Sequence, residues 1–154
     1  MLIDREIKPG VSLGGIKLGE SVDLYLDKLS THYLVRDDRE ASWAFVGDDL
    51  ISIAYDADRL ITTVCANSRF QGSYAGLIWP GMTVLQVIQN THAQTEYAGC
   101  IVINGIDGVG LPLPAEHDDF ENLGQSIPDE TVLEYISVFQ ETWGKKRRKK
   151  QRGK

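Results

Sequence analysis

Cys65 and Cys100, with His32, His92 and His117, are the side chains best suited to nucleophilic or metal chemistry. A thiol held by an imidazole would supply a nucleophile and its base. No local signature places such a pair together, and neither cysteine belongs to a C-x-x-C motif. A zinc site needs about four suitable ligands, and these scattered residues show none of the usual spacings. Both cysteines lie in apolar runs, which reads as buried, inert thiols.

The glycine stretches fail as phosphate loops. Gly10-Val11-Ser12-Leu13-Gly14-Gly15 opens with Walker-like spacing, but Ile16-Lys17 follows where Lys-Ser/Thr is needed. Gly105, Gly108 and Gly110 miss the dinucleotide fingerprint, because Leu113 stands at the third glycine position. The acid pairs Asp37-Asp38, Asp48-Asp49, Asp118-Asp119 and Asp129-Glu130 have the chemistry of a cation site or an acid–base couple. Adjacent residues on a strand face opposite ways, however, so each pair reads better as a solvated turn. Asp56-Ala57-Asp58 lacks the glycine and distal glutamate of an EF-hand loop. The expectation is a non-enzyme with no catalytic residues, no metal and no cofactor.

Charge carries more information than any motif. The formal net charge is −6. Residues 145–154 hold eight Lys and Arg and no acid, which leaves eight bases against all 22 acids, a net of −14, on the other 144 residues. From Phe70 to Gly144 there is no Lys or Arg but ten acids, running from Glu96 to Glu141. Those acids face water, reach bases of the first half, or meet a basic partner. A negative field repels nucleic acid, so the body should not bind it; the basic tail has the composition for weak, non-specific phosphate contact.

Two segments must position whatever the surface does. At an offset of 62, Gly19, Ser21, Val22, Tyr25, Leu26 and Leu29 match Gly81, Thr83, Val84, Val87, Ile88 and Thr91. Each set has the i, i+3, i+4, i+7 spacing of one helical face. Ser21 and Thr83 are the expected N-caps. Strands are expected at Tyr33–Arg36, Trp43–Val46, Leu50–Tyr55 and Leu60–Ala66 after the first helix. Cys100–Ile103, Val109–Leu113 and Val132–Phe139 should follow the second, the last being a strand by its β-branched content or a helix opened by Pro128. Asp56–Arg59 reads as a hairpin loop and Ala115–Ser126 as an exposed acidic loop. The fold class is α+β: two related helix-plus-antiparallel-sheet units, about 10–68 and 72–140, sharing one core in a single acidic domain, 1–144. Residues 145–154 should form a disordered basic tail.

The stretch from Ile7 to Gly19, followed by a Ser-capped helix, resembles the opening of bacterial immunity proteins of contact-dependent growth inhibition systems. Gly81-Met82-Thr83-Val84-Leu85-Gln86-Val87 is similar to the G-M-T-x-x-x-V motif of the outer-membrane lipoprotein and β-lactamase-inhibitor-like fold, which often occurs as a tandem repeat. The N-terminus lacks the lipoprotein cysteine and the basic-then-apolar order of a signal peptide. The resemblance therefore implies a cytoplasmic inhibitor that binds a cognate toxin, and it carries over no catalytic residue. An acidic inhibitor suits a basic toxin, such as one that cleaves nucleic acid, and no membrane partner is expected. The alternative is a non-enzymatic scaffold of the same fold. Candidate partner-binding residues are Glu116, Asp118, Asp119, Phe120, Glu121, Asp48, Asp49 and Trp79, with Trp43 and Tyr97 as further aromatic anchors.

Overall fold

A computed structural model of the chain describes residues 1–117 and 119–141. Asp118, the basic tail and its expected disorder lie outside the described residues. The amino-terminal stretch makes three short strands, β1 (Ile7–Lys8), β2 (Ser12–Leu13) and β3 (Ile16–Lys17). Then come helix α1 (Val22–Leu29) and strands β4 (Val35–Asp38), β5 (Trp43–Val46), β6 (Ile51–Tyr55) and β7 (Ile61–Ala66). Next come β8 (Met82–Thr83), α2 (Val84–Asn90), β9 (Gln94–Tyr97), β10 (Cys100–Ile103) and β11 (Val109–Pro112). The chain ends with α3 (Leu123–Ser126), β12 (Val132–Leu133) and β13 (Ile136–Phe139).

The main sheet has eight antiparallel strands in the order β4-β5-β6-β7-β13-β11-β10-β9. Its strand content follows from alternation. Ile51 and Ile53 point one way from β6 while Ser52 points the other, and Ala44 and Val46 face inward from β5 while Trp43 and Phe45 face outward. The inward set joins Val64, Ile101, Ile103, Val109, Leu111, Ile136 and Val138 in one hydrophobic cluster. Val22, Tyr25 and Leu29 of α1 and Val84 and Val87 of α2 belong to that same cluster. The helices thus cover the inner face. Among the described residues, no helix is long and apolar enough to cross a membrane.

Both long helices begin against a strand later in the chain, β7 for α1 and β12 for α2. Gly19 N donates to Ile61 O at 2.8 Å and Val22 N to Arg59 O at 2.9 Å. Correspondingly, Gly81 N donates to Leu133 O at 2.7 Å and Val84 N to Thr131 O at 3.0 Å. Gly19 and Gly81 turn the chain into these positions with φ of 82° and 96°, in the left-handed region that favours glycine. Arg59 and Thr131, just before β7 and β12, accept the first helical N–H in each case, so part of the capping need is met by backbone.

Three expectations need correction. Ser21 occupies the N-cap of α1 but its side chain makes no capping hydrogen bond, whereas Thr83 and Gln86 form a complete capping box. Val132–Phe139 is neither one strand nor a helix: β12 pairs with β8 in a separate two-stranded ribbon, and β13 enters the main sheet between β7 and β11. The acidic loop is not wholly exposed, because Phe120 and Leu123, with Ile127 just beyond it, turn inward and pack on the core while Glu116, Asp119 and Glu121 stay exposed.

Candidate functional site

The outer face of the sheet carries no helix among the described residues. Strand register places Trp43, Phe45, Ser52, Cys65, Ser137, Pro112 and Cys100 on it. Trp43 and Phe45 stack with ring centroids 6.5 Å apart, and Tyr97 meets Phe139 at 6.0 Å. A pocket of about 410 Å³ opens between the two sides, lined by Trp43, Phe45, Asp49, Ser52, Cys65, Pro112 and Tyr135. A second, of about 310 Å³, lies along Thr63, Tyr97, Cys100 and Phe139. The aromatic, mainly apolar walls of the first pocket suit the anchoring side chains of a protein partner.

Asp49 is the carboxylate that lines the larger pocket. Its Oδ1 accepts from Ser52 Oγ at 3.0 Å and its Oδ2 from Tyr135 Oη at 3.1 Å. Burial, and then the hydrogen bond to Asp49, push the Tyr135 phenol above its ordinary range. The loop before β6 is held tightly. Gly47, Asp48 and Asp49 have φ of 65°, 53° and 75°, a left-handed run in which two of three residues are not glycine. Arg69 donates to Gly47 O at 3.0 Å and Asp48 O at 2.6 Å, and Asn67 Nδ2 donates to Asp49 O at 2.8 Å. These side chains hold the carbonyls of the strained turn in place.

Both thiols are half-buried on this outer face and not in the core, which corrects the sequence reading. Burial pushes Cys65 up, and Cys65 Sγ donates to Ser137 Oγ at 3.4 Å. Burial pushes Cys100 up to about 12, helped by Cys65 and Glu96 nearby. A raised thiol has little thiolate at neutral pH, so neither has the character of an activated nucleophile. Among the described residues, no three His, Cys, Asp or Glu side chains gather as a metal site would require.

The sequence-derived candidates scatter. Asp49, half-buried, lines the pocket of about 410 Å³, whereas Asp48 is exposed and borders a separate cleft with Leu34, Val35 and Arg36. Trp79 is half-buried and packs against the core. Phe120 is only 8% exposed and belongs to the core, which removes it from the set of surface anchors. Glu116, Asp119 and Glu121 are exposed and, like Asp129 and Glu130, enter no ion pair among the described residues. Residue reading missed Tyr135 and Pro112, which only the meeting of β13 and β11 brings beside Trp43. Period-two alternation was the available signal: Trp43 and Phe45 had to face away from Ala44 and Val46.

No protein-family model, curated protein or solved structure matches the chain.

Proposed function

We propose that the chain is a protein-binding inhibitor, the cytoplasmic immunity partner of a basic toxin, and that it turns over no substrate of its own. The observation that carries this reading is the outer sheet face. It presents Trp43, Phe45, Tyr97, Tyr135 and Phe139 without a covering helix, in a chain whose second half is rich in exposed acids. Aromatic anchors supply affinity, and the negative field supplies a fast association with a basic protein. The sequence resemblance to growth-inhibition immunity proteins points the same way.

We also read the chain as two related units that share one core, consistent with the tandem resemblance. The paired helix starts and their matching hydrogen bonds to Ile61 and Leu133 support it, as does a strand order that runs outward from β7 and β13 on both sides. A scaffold role on the same fold would use the same face but inhibit nothing.

The test is co-purification from the native host, followed by titration. The recovered protein should be basic and carry a measurable activity, and one equivalent of this chain should abolish it. A partner whose activity is unchanged at saturation would leave a scaffold in place of an inhibitor.

A further inference from the structure

The chain contains two tyrosine–aspartate pairs of the same chemistry. In one, Tyr55 Oη donates to Asp37 Oδ1 at 2.7 Å, and Arg59 donates to Asp37 Oδ2 at 2.8 Å. The Arg59 guanidinium carbon also sits 4.7 Å from the Tyr55 ring centroid, so one cation completes the pair by hydrogen bonding and by stacking. In the other, Tyr135 Oη donates to Asp49 Oδ2 at 3.1 Å, and no ion pair reaches Asp49 among the described residues. That carboxylate instead borders the pocket of about 410 Å³ walled by Trp43, Phe45 and Tyr135.

Two cations beside the Asp49 loop already have partners. Arg36 stacks on Phe45 at 4.2 Å from the ring centroid, which leaves the Trp43 and Tyr135 rings. Arg69 spends its guanidinium on the carbonyls of Gly47 and Asp48. A carboxylate with two acceptor sites taken by hydroxyls keeps capacity for further donors, and a planar guanidinium fits both it and an aromatic wall. The hydrogen bonds from Ser52 and Tyr135 fix where the carboxylate points, so the site is pre-set.

We propose that the Asp49–Tyr135 pocket receives the guanidinium of an arginine side chain from the basic partner. The occupant is argued from charge complementarity and from the chain's own Arg59–Asp37–Tyr55 arrangement. The proposal rests on the reading of the outer face as a partner surface, and it names the group that face selects. Arginine is preferred to lysine because a compact ammonium cannot both fork onto the carboxylate and stack.

The full-length, isotope-labelled chain is titrated with a blocked pentapeptide bearing one central arginine, and with its lysine and glutamine counterparts. The arginine peptide should shift the amides of Asp49, Ser52 and Cys65, with a dissociation constant on the order of 1–10 mM for a single stacked, charge-assisted contact. The lysine peptide should bind several-fold more weakly and the glutamine peptide not at all. Asp49→Asn should weaken arginine binding by about tenfold or more. Trp43→Leu, which removes a pocket wall and leaves Asp49 with its hydrogen bonds from Ser52 and Tyr135, should weaken arginine binding several-fold, and an unchanged affinity there would overturn the stacked site. Asp129→Asn, an exposed acid outside the pocket lining, should change nothing. Equal losses in the Asp49 and Asp129 variants would mean a diffuse field and overturn the site, as would no saturable binding. Tighter binding by a chain whose tail Lys and Arg are replaced by glutamine would make the tail the occupant and overturn the partner assignment. A recovered partner that leaves Asp49→Asn at an unchanged rate would sink the pocket and leave the protein-binding reading standing.

Discussion

Arg59 sits at the end of the Asp56–Arg59 hairpin loop with φ of 61°, and from there it ties a helix to an edge strand. Its guanidinium donates to both oxygens of Asp23 on α1, at 2.9 and 2.6 Å, and to Asp37 on β4 at 2.8 Å. The hydrogen bonds from Arg59 hold Asp23 below its ordinary value of 3.8. Asp37 is also lowered: burial pushes it up, but the donors Tyr55 and Arg59 outweigh that. Depressed carboxylates stabilise the fold above the unfolded value of about 3.8, and that contribution is lost as pH falls through the lower native values. Arg59→Gln should lower Tm by roughly 3–8 °C at neutral pH, and the gap to wild type should close under acid. Asp37→Asn should cost more than Asp23→Asn, since side-chain exposure is 20% for Asp37 and 59% for Asp23. Thermal melts across pH 2–7 check all three. The opposite sign holds for Tyr25. Burial, and then its hydrogen bond to Glu20, raise the phenol from 10.0 to about 12. Its contribution is complete below pH 10 and disappears as pH rises toward 12, so Tyr25→Phe should flatten the alkaline fall in stability. The hairpin loop was legible from its composition, since Asp56 Oδ1 accepts from the N–H groups of Asp58 and Leu60 as such loops require. The Arg59 clamp was not, because Asp23 and Asp37 lie 36 and 22 residues away and only the packed fold joins them.

At the level of elements, hydrophobic spacing carried both long helices. Val22, Tyr25 and Leu29 in α1, and Val84 and Val87 in α2, are buried. Runs of apolar and β-branched residues likewise carried β5, β6, β7, β10 and β11 to within a residue at their ends, whereas β4 starts and ends two residues later than the expected Tyr33–Arg36. Strands β1, β2, β3 and β8 were missed because two residues cannot show a period, and β9 because Gln94-Thr95-Glu96-Tyr97 is a polar edge strand. The run at Val132 looked continuous, yet it splits where the chain leaves one ribbon for another sheet, a decision made by distant Met82 and Thr83. The two N-caps separate sequence resemblance from local chemistry. Thr83 Oγ1 accepts from Gln86 N at 3.3 Å and Gln86 Oε1 accepts from Thr83 N at 2.8 Å. Thr83→Ala should therefore destabilise by about 1 kcal/mol, within the usual range for a lost cap. Ser21→Ala should lie within about 0.5 kcal/mol of wild type, because that hydroxyl caps nothing. Urea denaturation of the two variants gives the comparison directly, and equal losses would show that Ser21 caps α1 in solution.

For the molecule as a whole, the two features proposed to act on a partner should divide its kinetics. Exposed acids act at a distance, through a field that reaches about 10 Å at 0.1 M salt and about 3 Å at 1 M. The outer-face aromatics and Asp49 act only on contact. Replacing Glu116, Asp118, Asp119 and Glu121 with their amides removes charge from one loop, and Glu116, Asp119 and Glu121 lie outside the lining of the Asp49 pocket. If that loop lies near the bound partner, association should slow several-fold at low salt, with the dissociation rate nearly unchanged. Raising salt should slow wild-type association toward that of the variant, because screening removes the same field. Trp43→Leu should behave in the reverse way, leaving association within about twofold and speeding dissociation by tenfold or more, as loss of an interface anchor does. Stopped-flow association and dissociation traces, at low and high salt, separate the two. Fast dissociation from the loop variant with unchanged association would reverse the assignment and make the acidic loop the contact surface. Wild-type association that ignores salt would remove the electrostatic argument, and the partner's affinity would then have to come from the aromatic face alone.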